Sequence, residues 1–346
     1  MKRIVLILLV IAMALSIVSC GAVNKNEVAV LWHDQSDDFT VALADAVDRG
    51  MYIENIKYEH YDAKGDASMQ IQQAKDAIGA KAAALLVNTV LEATATEIVA
   101  LAKEANIPVV FICSNISNEI ISSYDKCAAV ELDSNSLYET LGEKIASDLL
   151  DDYSSYDRNG DGKISYVAFG LSSASVSTIN KKLTEKGKSE LEAVNYDSLL
   201  SEADAIDALF KGYDGSGNKV NATPVELILT DDDTCIEDLL LTLRSYELNY
   251  KKLVTHFIPL YTVGNAANAG DLIDSTVQEE KDAYSVMNAI DDGFLSASAL
   301  EDDDTLAESA AKILRNFIKE KEVLKGISES IIDSDRKVVV EYTIYG

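Results

Sequence analysis

The chain has 346 residues, 48% of them hydrophobic, which is enough to bury the cores of two domains of ordinary size. Its 58 acidic residues outnumber 30 lysines and arginines, and a formal net charge of −28 disfavours binding to nucleic acid or to anionic membrane surfaces. Three scattered histidines lack zinc-site spacing, and the sequence has no nucleophile elbow or phosphate loop. These features argue against an enzyme and against a nucleic-acid partner.

The N-terminus has the layout of a secretory signal peptide. Two basic residues precede an apolar run of about fifteen residues, and small residues then lead to Cys20. The "IVSC" ending resembles a bacterial lipobox, in which the cysteine is lipidated after cleavage. We expect residues 1–20 to be the signal peptide, residues 21–26 a tether, and Cys20 the lipid anchor of an extracytoplasmic protein. An ordinary cleaved signal or an uncleaved anchor is the alternative.

Three cysteines follow Cys20, namely Cys113, Cys127 and Cys235. Because their number is odd, at least one thiol stays free or pairs with another chain. The sequence therefore indicates no disulfide framework, and it leaves the state of each thiol open.

Apolar β-type runs alternate with amphipathic helical stretches through the first part of the mature chain. Nearly continuous apolar strands spaced by helices predict a parallel sheet with helices on both faces and ligands at the carboxyl ends of the strands. The predicted strands are 27–32, 52–62, 82–88, 107–113 and 127–133, and the predicted helices between them lie around 39–50, 67–79 and 92–105.

The segment "DRNGDGKIS" has the first half of an EF-hand calcium loop. Asp157, Asn159 and Asp161 alternate ahead of Gly162, but Ala168 stands where an EF-hand has its bidentate glutamate. Either a distant residue supplies that carboxylate or the segment is a plain turn.

The alternation of helices and strands restarts around this loop. Predicted strands at 164–170, 191–195, 225–230 and 258–264 are separated by predicted helices near 175–187, 200–211 and 235–246. The sequence therefore predicts an α/β protein of two Rossmann-like lobes, with parallel sheets flanked by helices.

The order of these elements, the half-built loop and the segment "PVELILTDDD" together resemble the periplasmic sugar-binding proteins of ABC transporters, in the galactose/glucose-binding branch. The resemblance implies two lobes joined by a three-segment hinge, which close around a carbohydrate and present it to an ABC permease. It implies a monomer with an N-terminal lobe of residues 27–132 plus 290–334 and a C-terminal lobe of residues 133–289 plus 335–346.

The resemblance also implies a structural calcium ion in the C-terminal lobe. Glu226, at the start of an apolar strand, would supply the bidentate carboxylate that position 168 lacks. The implied ligands are the side chains of Asp157, Asn159 and Asp161, the backbone carbonyl of Lys163, the hydroxyl of Ser165 and the carboxylate of Glu226.

For the sugar, the resemblance implies planar polar side chains on the hydroxyls and aromatic faces on the ring. The segment "LSSASVSTINKK" lacks the histidine, aspartate and arginine of the family's charged clamp, so the expected solute is either a galactose- or glucose-like carbohydrate or another sugar, a larger glycoside or a polyol. The implied solute-binding residues are Asp37, Phe39, Asn88, Asp232, Asn265 and Asn288, with Trp32 and Tyr196 as further aromatic surfaces.

Two other functions fit the same fold. The sequence hardly distinguishes a transport protein from a sensor that presents its ligand to a chemoreceptor or a histidine kinase. A cytoplasmic repressor is disfavoured by the signal peptide and by the absence of a helix-turn-helix sequence before the first strand.

Overall fold

The computed structural model describes residues 27–36, 38–170, 173–212, 225–231, 235–248, 257–264 and 284–346. These residues form two compact units. Unit 1 contains the described residues up to Glu131 together with Asp303–Val339, and unit 2 contains those within Leu132–Asp302 together with Val340–Gly346. The chain therefore crosses three times between the units.

Unit 1 is built on a seven-stranded sheet in the order β11-β12-β5-β4-β3-β1-β2. The pairs β1/β2, β1/β3, β3/β4 and β4/β5 are parallel, whereas β11/β12 is antiparallel. The strands are β1 (Val28–Trp32), β2 (Tyr58–Asp62), β3 (Ala84–Val87), β4 (Val109–Ile112), β5 (Cys127–Leu132), β11 (Ile332–Ser334) and β12 (Lys337–Val340).

Helices cover both faces of this sheet, because its central strands are apolar on both faces and each face must be buried. Every residue of β1, β3 and β4 is buried. The helices are α1 (Asp38–Ile53), α2 (Ala67–Gly79), α3 (Glu92–Ala105), α4 (Asn118–Ser122) and α11 (Asp303–Ile318), with a 3₁₀ turn at Glu329–Ile331.

Unit 2 is built on a six-stranded sheet in the order β13-β10-β9-β8-β6-β7. Its neighbouring strands run parallel, except for the antiparallel pair β10/β13. The strands are β6 (Ser165–Phe169), β7 (Glu192–Ala193), β8 (Leu227–Thr230), β9 (Leu260–Val263), β10 (Ala297–Leu300) and β13 (Thr343–Tyr345).

The two faces of the unit 2 sheet contact separate apolar clusters. Ile228 of β8 packs with α8, α9 and α10, whereas its neighbours Leu227 and Leu229 pack with α5 and α7 on the other face. The helices are α5 (Ser134–Asp151), α6 (Tyr153–Tyr156), α7 (Ser173–Glu185), α8 (Glu202–Lys211), α9 (Ile236–Ser245) and α10 (Val286–Asp291). Two parallel-dominated sheets flanked by helices confirm the predicted fold class.

The divisions between the units differ from the predicted ones. The chain was expected to leave the C-terminal lobe at residue 290, but β10 pairs with β9 and keeps the chain in unit 2 to Asp302. The last segment was expected in the C-terminal lobe from residue 335, but β12 lies beside β5 in unit 1 and only Val340–Gly346 belongs to unit 2. The first crossing follows Glu131, one residue before the predicted division.

Candidate functional site

The loop after α6 is organised by its own side chains. The carboxylate of Asp157 accepts a hydrogen bond from the Gly162 N–H (2.9 Å), and the Asn159 side-chain oxygen accepts one from the Asp161 N–H (2.8 Å). Gly160 and Gly162 both have positive φ, 73° and 84°, which favours glycine at these two positions. The alternation seen in the sequence therefore produces a tight loop in which polar side chains accept hydrogen bonds from the loop's own backbone.

Glu226 meets this loop from a distant part of the chain. It lies directly before β8 and its side chain is fully buried. One carboxylate oxygen accepts hydrogen bonds from the N–H groups of Arg158 (2.7 Å) and Asn159 (3.1 Å). The other accepts from the Ser165 N–H and hydroxyl, both at 2.9 Å. These four bonds offset the cost of burying the carboxylate.

The loop contains the oxygen ligands that calcium requires, although its carboxylates do not point toward one common position. Asp157 Oδ1 is buried and has no hydrogen-bond partner, which is costly unless a cation or donor meets it. Asp161 instead accepts bonds from the Asn159 side-chain amide (2.9 Å) and from the Lys163 N–H (2.9 Å). Within the described part of the chain, no three His, Cys, Asp or Glu side chains are grouped to hold a metal ion. The donor set and the orphaned oxygen nevertheless fit calcium.

Asn88 links the carboxyl ends of the strands in unit 1. It follows β3, and its amide nitrogen donates to the carbonyls of Ile112 and Cys113, both at 3.0 Å. Its side-chain oxygen is hydrogen-bonded to His33, at the end of β1. Both N–H donors of Asn88 are therefore used inside unit 1, and its contact with a solute stays a prediction.

Trp32 is also not available to a sugar. Its side chain is fully buried, its ring stacks on His60 (6.0 Å between centroids), and its indole N–H donates to His60 Nδ1 (2.7 Å). His60 Nε2 then carries the ring hydrogen and donates to Asp48 (2.7 Å). Burial therefore contradicts the predicted role of Trp32 as a stacking surface.

The other predicted solute contacts lie in different settings. Tyr196 packs edge-on against Phe169 (4.8 Å) and donates its hydroxyl hydrogen to the Ala168 carbonyl (3.2 Å), at the carboxyl end of β6. Phe39 is half-buried in the first turn of α1, and Asn288 is exposed, with its side-chain oxygen capping α10 through Ser285 (2.9 Å). Asp37, Asp232, Asn265 and Cys20 lie outside the described residues.

The sequence reasoning missed several polar residues at these edges. Gln70, fully buried on α2, donates to the Asn88 carbonyl (2.8 Å) and accepts from the Val90 N–H (3.0 Å). Glu131 is buried near the end of β5, and Asp231 follows β8 with its carboxylate against Gly170. Glu131 had a detectable signal, a glutamate inside an apolar strand, which is the same signal that singled out Glu226.

None of the described helices is long and apolar enough to cross a membrane. Cys113, Cys127 and Cys235 form no disulfide with one another.

The chain is similar to several known proteins over most of its length. Residues 28–235 match a family model described as a periplasmic binding protein domain. The D-galactose/methyl-galactoside binding periplasmic protein of Haemophilus influenzae is 24% identical over 305 residues, which are 84% of this chain and 89% of that protein.

Two solved structures have the same fold. The periplasmic binding component of the arabinose ABC transporter of Shewanella sp. ANA-3, bound to L-arabinofuranose, aligns with a TM-score of 0.58 at 14% identity, covering 92% of this chain and 91% of that one. An ABC transporter solute binding protein of Bacillus halodurans with bound myo-inositol aligns with a TM-score of 0.54 at 17% identity, covering 93% and 95%.

Proposed function

The chain belongs to the periplasmic binding protein family, and from this we propose that it is an extracytoplasmic carbohydrate-binding protein that delivers its solute to an ABC permease. Members of this family are binding proteins and not enzymes. The proposal that the solute is a carbohydrate rests mainly on the similarity to a galactoside-binding protein over 84% of the chain. Neighbours of the same fold that hold arabinose and myo-inositol support it.

We place the solute at the carboxyl ends of the parallel strands, where open α/β sheets bind ligands. Tyr196 and Phe39 are the described aromatic side chains proposed to contact a sugar ring. Among the described residues after β6, Ser175 is buried and donates to the Tyr138 carbonyl (2.9 Å), so it supplies no substitute for a charged clamp. We therefore propose a neutral sugar or polyol that needs no bidentate arginine.

A thermal-shift screen tests this proposal. The purified protein is heated with D-galactose, L-arabinose, D-ribose or myo-inositol, because a solute that binds only the folded state raises the melting temperature. A concentration-dependent rise with at least one of these supports the proposal. Charged sugars that stabilise the protein while all four neutral ones fail would contradict it.

Calcium in the loop of unit 2 is a second part of the proposal. Asp157, Asn159, Asp161, Ser165 and Glu226 would supply side-chain oxygens, and Lys163 its carbonyl. The ion would neutralise the clustered carboxylates and satisfy the orphaned Asp157 Oδ1. Its role would be to stabilise the unit.

Chelation tests the calcium proposal with a variant that keeps the loop intact. Asp157→Asn retains an oxygen for the Gly162 N–H but puts an amide nitrogen where the orphaned oxygen stands. A chelator should lower the melting temperature of the wild type and leave that of Asp157→Asn unchanged. Equal shifts in both proteins, or no shift in the wild type, would rule the site out.

We also propose that Cys20 carries a lipid that holds the protein at the outer face of the cell membrane, with no other membrane contact. The support is the lipobox-like "IVSC" sequence after an apolar run.

A further inference from the structure

Glu131 is an ionisable residue inside an apolar strand, at the point where the chain leaves unit 1. It is the penultimate residue of β5, it is 6% exposed, and it is the last residue of unit 1 before the first crossing. A leucine or valine would be the ordinary residue at such a position.

The Glu131 carboxylate binds the whole loop that follows β4. It accepts hydrogen bonds from three successive backbone N–H groups, those of Ser114 (2.9 Å), Asn115 (2.8 Å) and Ile116 (3.2 Å). Cys113 and Asn115 hold left-handed φ values of 46° and 49°, which are unfavourable for cysteine in particular. This backbone turns its N–H groups toward one anion, as in other backbone anion-binding turns.

The same loop is fixed on its other side by β3. The Asn88 amide donates to the Ile112 and Cys113 carbonyls, and the Ser114 hydroxyl accepts from the Thr89 N–H (2.9 Å). Residues 113–116 are thus tied to β3 at one side and to the crossing strand β5 at the other.

Placing a carboxyl group here has an energetic cost. Burial raises the pKa of Glu131, although the three N–H donors and the positive charge of Lys337 act in the opposite direction. The net rise means that the ionised group is disfavoured relative to water. Burying the Glu131 carboxylate therefore costs free energy, and the three hydrogen bonds that it accepts from backbone N–H groups all come from the loop after β4.

We infer that Glu131 is a positioning residue that holds loop 113–116, at the solute-facing edge of unit 1, onto the strand through which the chain crosses to unit 2. This inference rests on the proposed function only in taking the carboxyl end of β4 as a place where solute binds. A solute that contacts loop 113–116 would then contact a segment that is hydrogen-bonded, through Glu131, to the strand that leads into unit 2.

Thiol labelling tests the inference without any solute. Cys113 lies in the loop and is partly exposed, Cys235 is partly exposed in unit 2, and Cys127 is buried in β5, where burial raises its pKa to about 12. The purified full chain is pulsed with iodoacetamide, and each cysteine is quantified by peptide mass spectrometry. The wild type is compared with Glu131→Ala and Glu131→Gln.

Loss of the carboxylate should free the loop locally. In Glu131→Ala the labelling rate of Cys113 should rise by at least roughly tenfold, since even one of the three lost charge-assisted hydrogen bonds corresponds to about that factor. Glu131→Gln, which keeps one acceptor oxygen, should give a smaller rise. The rates of Cys235 and Cys127 should stay within about twofold of the wild type, since neither belongs to the loop.

Two results would overturn the inference. One is an unchanged Cys113 rate in Glu131→Ala, and the other is an equal rise at all three cysteines, which reports general destabilisation. If Glu131→Ala does not fold, Glu131→Gln is judged by the same criteria. Hydrogen exchange on the wild type is the second measurement: amides 114–116 exchanging as slowly as those of β4 support the inference, and unprotected amides overturn it.

A solute measurement separates this inference from the proposed function. If the wild type binds one of the four screened solutes, Glu131→Gln should bind it roughly tenfold more weakly at a temperature well below the melting temperature of the variant, where a purely structural role would leave the affinity of the folded protein unchanged. If the wild type binds none, the proposed function fails, while the labelling result still decides the role of Glu131.

Discussion

Single charged residues in apolar strands proved to be the most informative feature at the residue scale. Glu226 opens an apolar strand, and the sequence therefore suggested a partner for it. The structure brings Glu226 to the loop at residues 158–165. Ser165 donates two hydrogen bonds to its carboxylate, one from the backbone N–H and one from the hydroxyl. The same pattern in "CAAVELD" identifies Glu131, whose three N–H partners could not be read from the sequence because they depend on the turn after β4.

Replacing Glu226 by glutamine should destabilise the protein even without calcium. The new amide group would face backbone N–H donors that now bind a carboxylate, so we expect a loss of roughly 2–4 kcal/mol in the free energy of unfolding. The measurement is urea denaturation in excess chelator, which isolates the hydrogen bonds from any metal effect.

Glu192→Gln is the matched control for Glu226→Gln. Glu192 pairs with Lys163 of the same loop at 3.4 Å, but both side chains are 50% exposed, so the change should cost less than about 1 kcal/mol. Similar losses in the two variants would mean that Glu226 is not a structural anchor.

Trp32 shows where residue-level prediction fails. An aromatic residue at the carboxyl end of a strand suggests a ligand-stacking surface, yet all five residues of β1 are buried. The partner that fixes the indole N–H, His60, comes from β2, and the register of β1 against β2 pairs Val30 with His60 and Trp32 with Asp62. That register is a tertiary property, so periodicity within β1 could not reveal it.

At the element scale, periodicity predicted most strands and helices, but it misplaced the boundary between α1 and β2. Residues 52–62 have β-type composition, whereas the structure continues α1 to Ile53 and begins β2 at Tyr58. The reason is the packing of α1 against α11, which extends over the last turns of the helix. Ion pairs between Arg49 and Asp304 and between Glu54 and Arg315 lie along this contact.

Gly50 makes the close approach of α1 and α11 possible. A Cβ at this position would lie 2.9 Å from the Ala307 carbonyl oxygen, which is part of the α11 backbone and cannot rotate away. Gly50→Ala should therefore destabilise the protein by about 1–3 kcal/mol, measured by chemical denaturation.

Gly79→Ala provides the control, because a Cβ added to this residue at the end of α2 would have no other atom within 4 Å. Alanine has the higher helix propensity, so this change should be neutral or stabilising by up to about 1 kcal/mol. Equal behaviour of the two variants would contradict the close helix contact.

At the scale of the whole molecule, the sequence predicted two α/β units but misplaced two of their three divisions. The apolar run at 297–300 was not assigned as a strand, although its pairing with β9 keeps it in unit 2. The final run "RKVVVEYTIYG" has β-type composition throughout, whereas β12 belongs to one sheet and β13 to the other. A crossing inside a continuous β-type run has no local signal, because both halves suit a strand equally.

Attachment to the membrane is tested at this scale by Cys20→Ala. If the lipid is the sole anchor, the variant should be released or remain as unprocessed precursor, because the acyl chains are what hold the protein at the membrane. Cell fractionation and intact mass measure the outcome. Unchanged membrane attachment with an unchanged mass would contradict lipidation.

Binding of a neutral carbohydrate by this family member is tested most directly by isothermal titration calorimetry. The purified protein is titrated with D-galactose, L-arabinose, D-ribose and myo-inositol in the presence of calcium. We predict saturable binding of one solute molecule per chain for at least one of the four. The absence of binding heat for all four at millimolar concentration, with the protein folded, would contradict the claim.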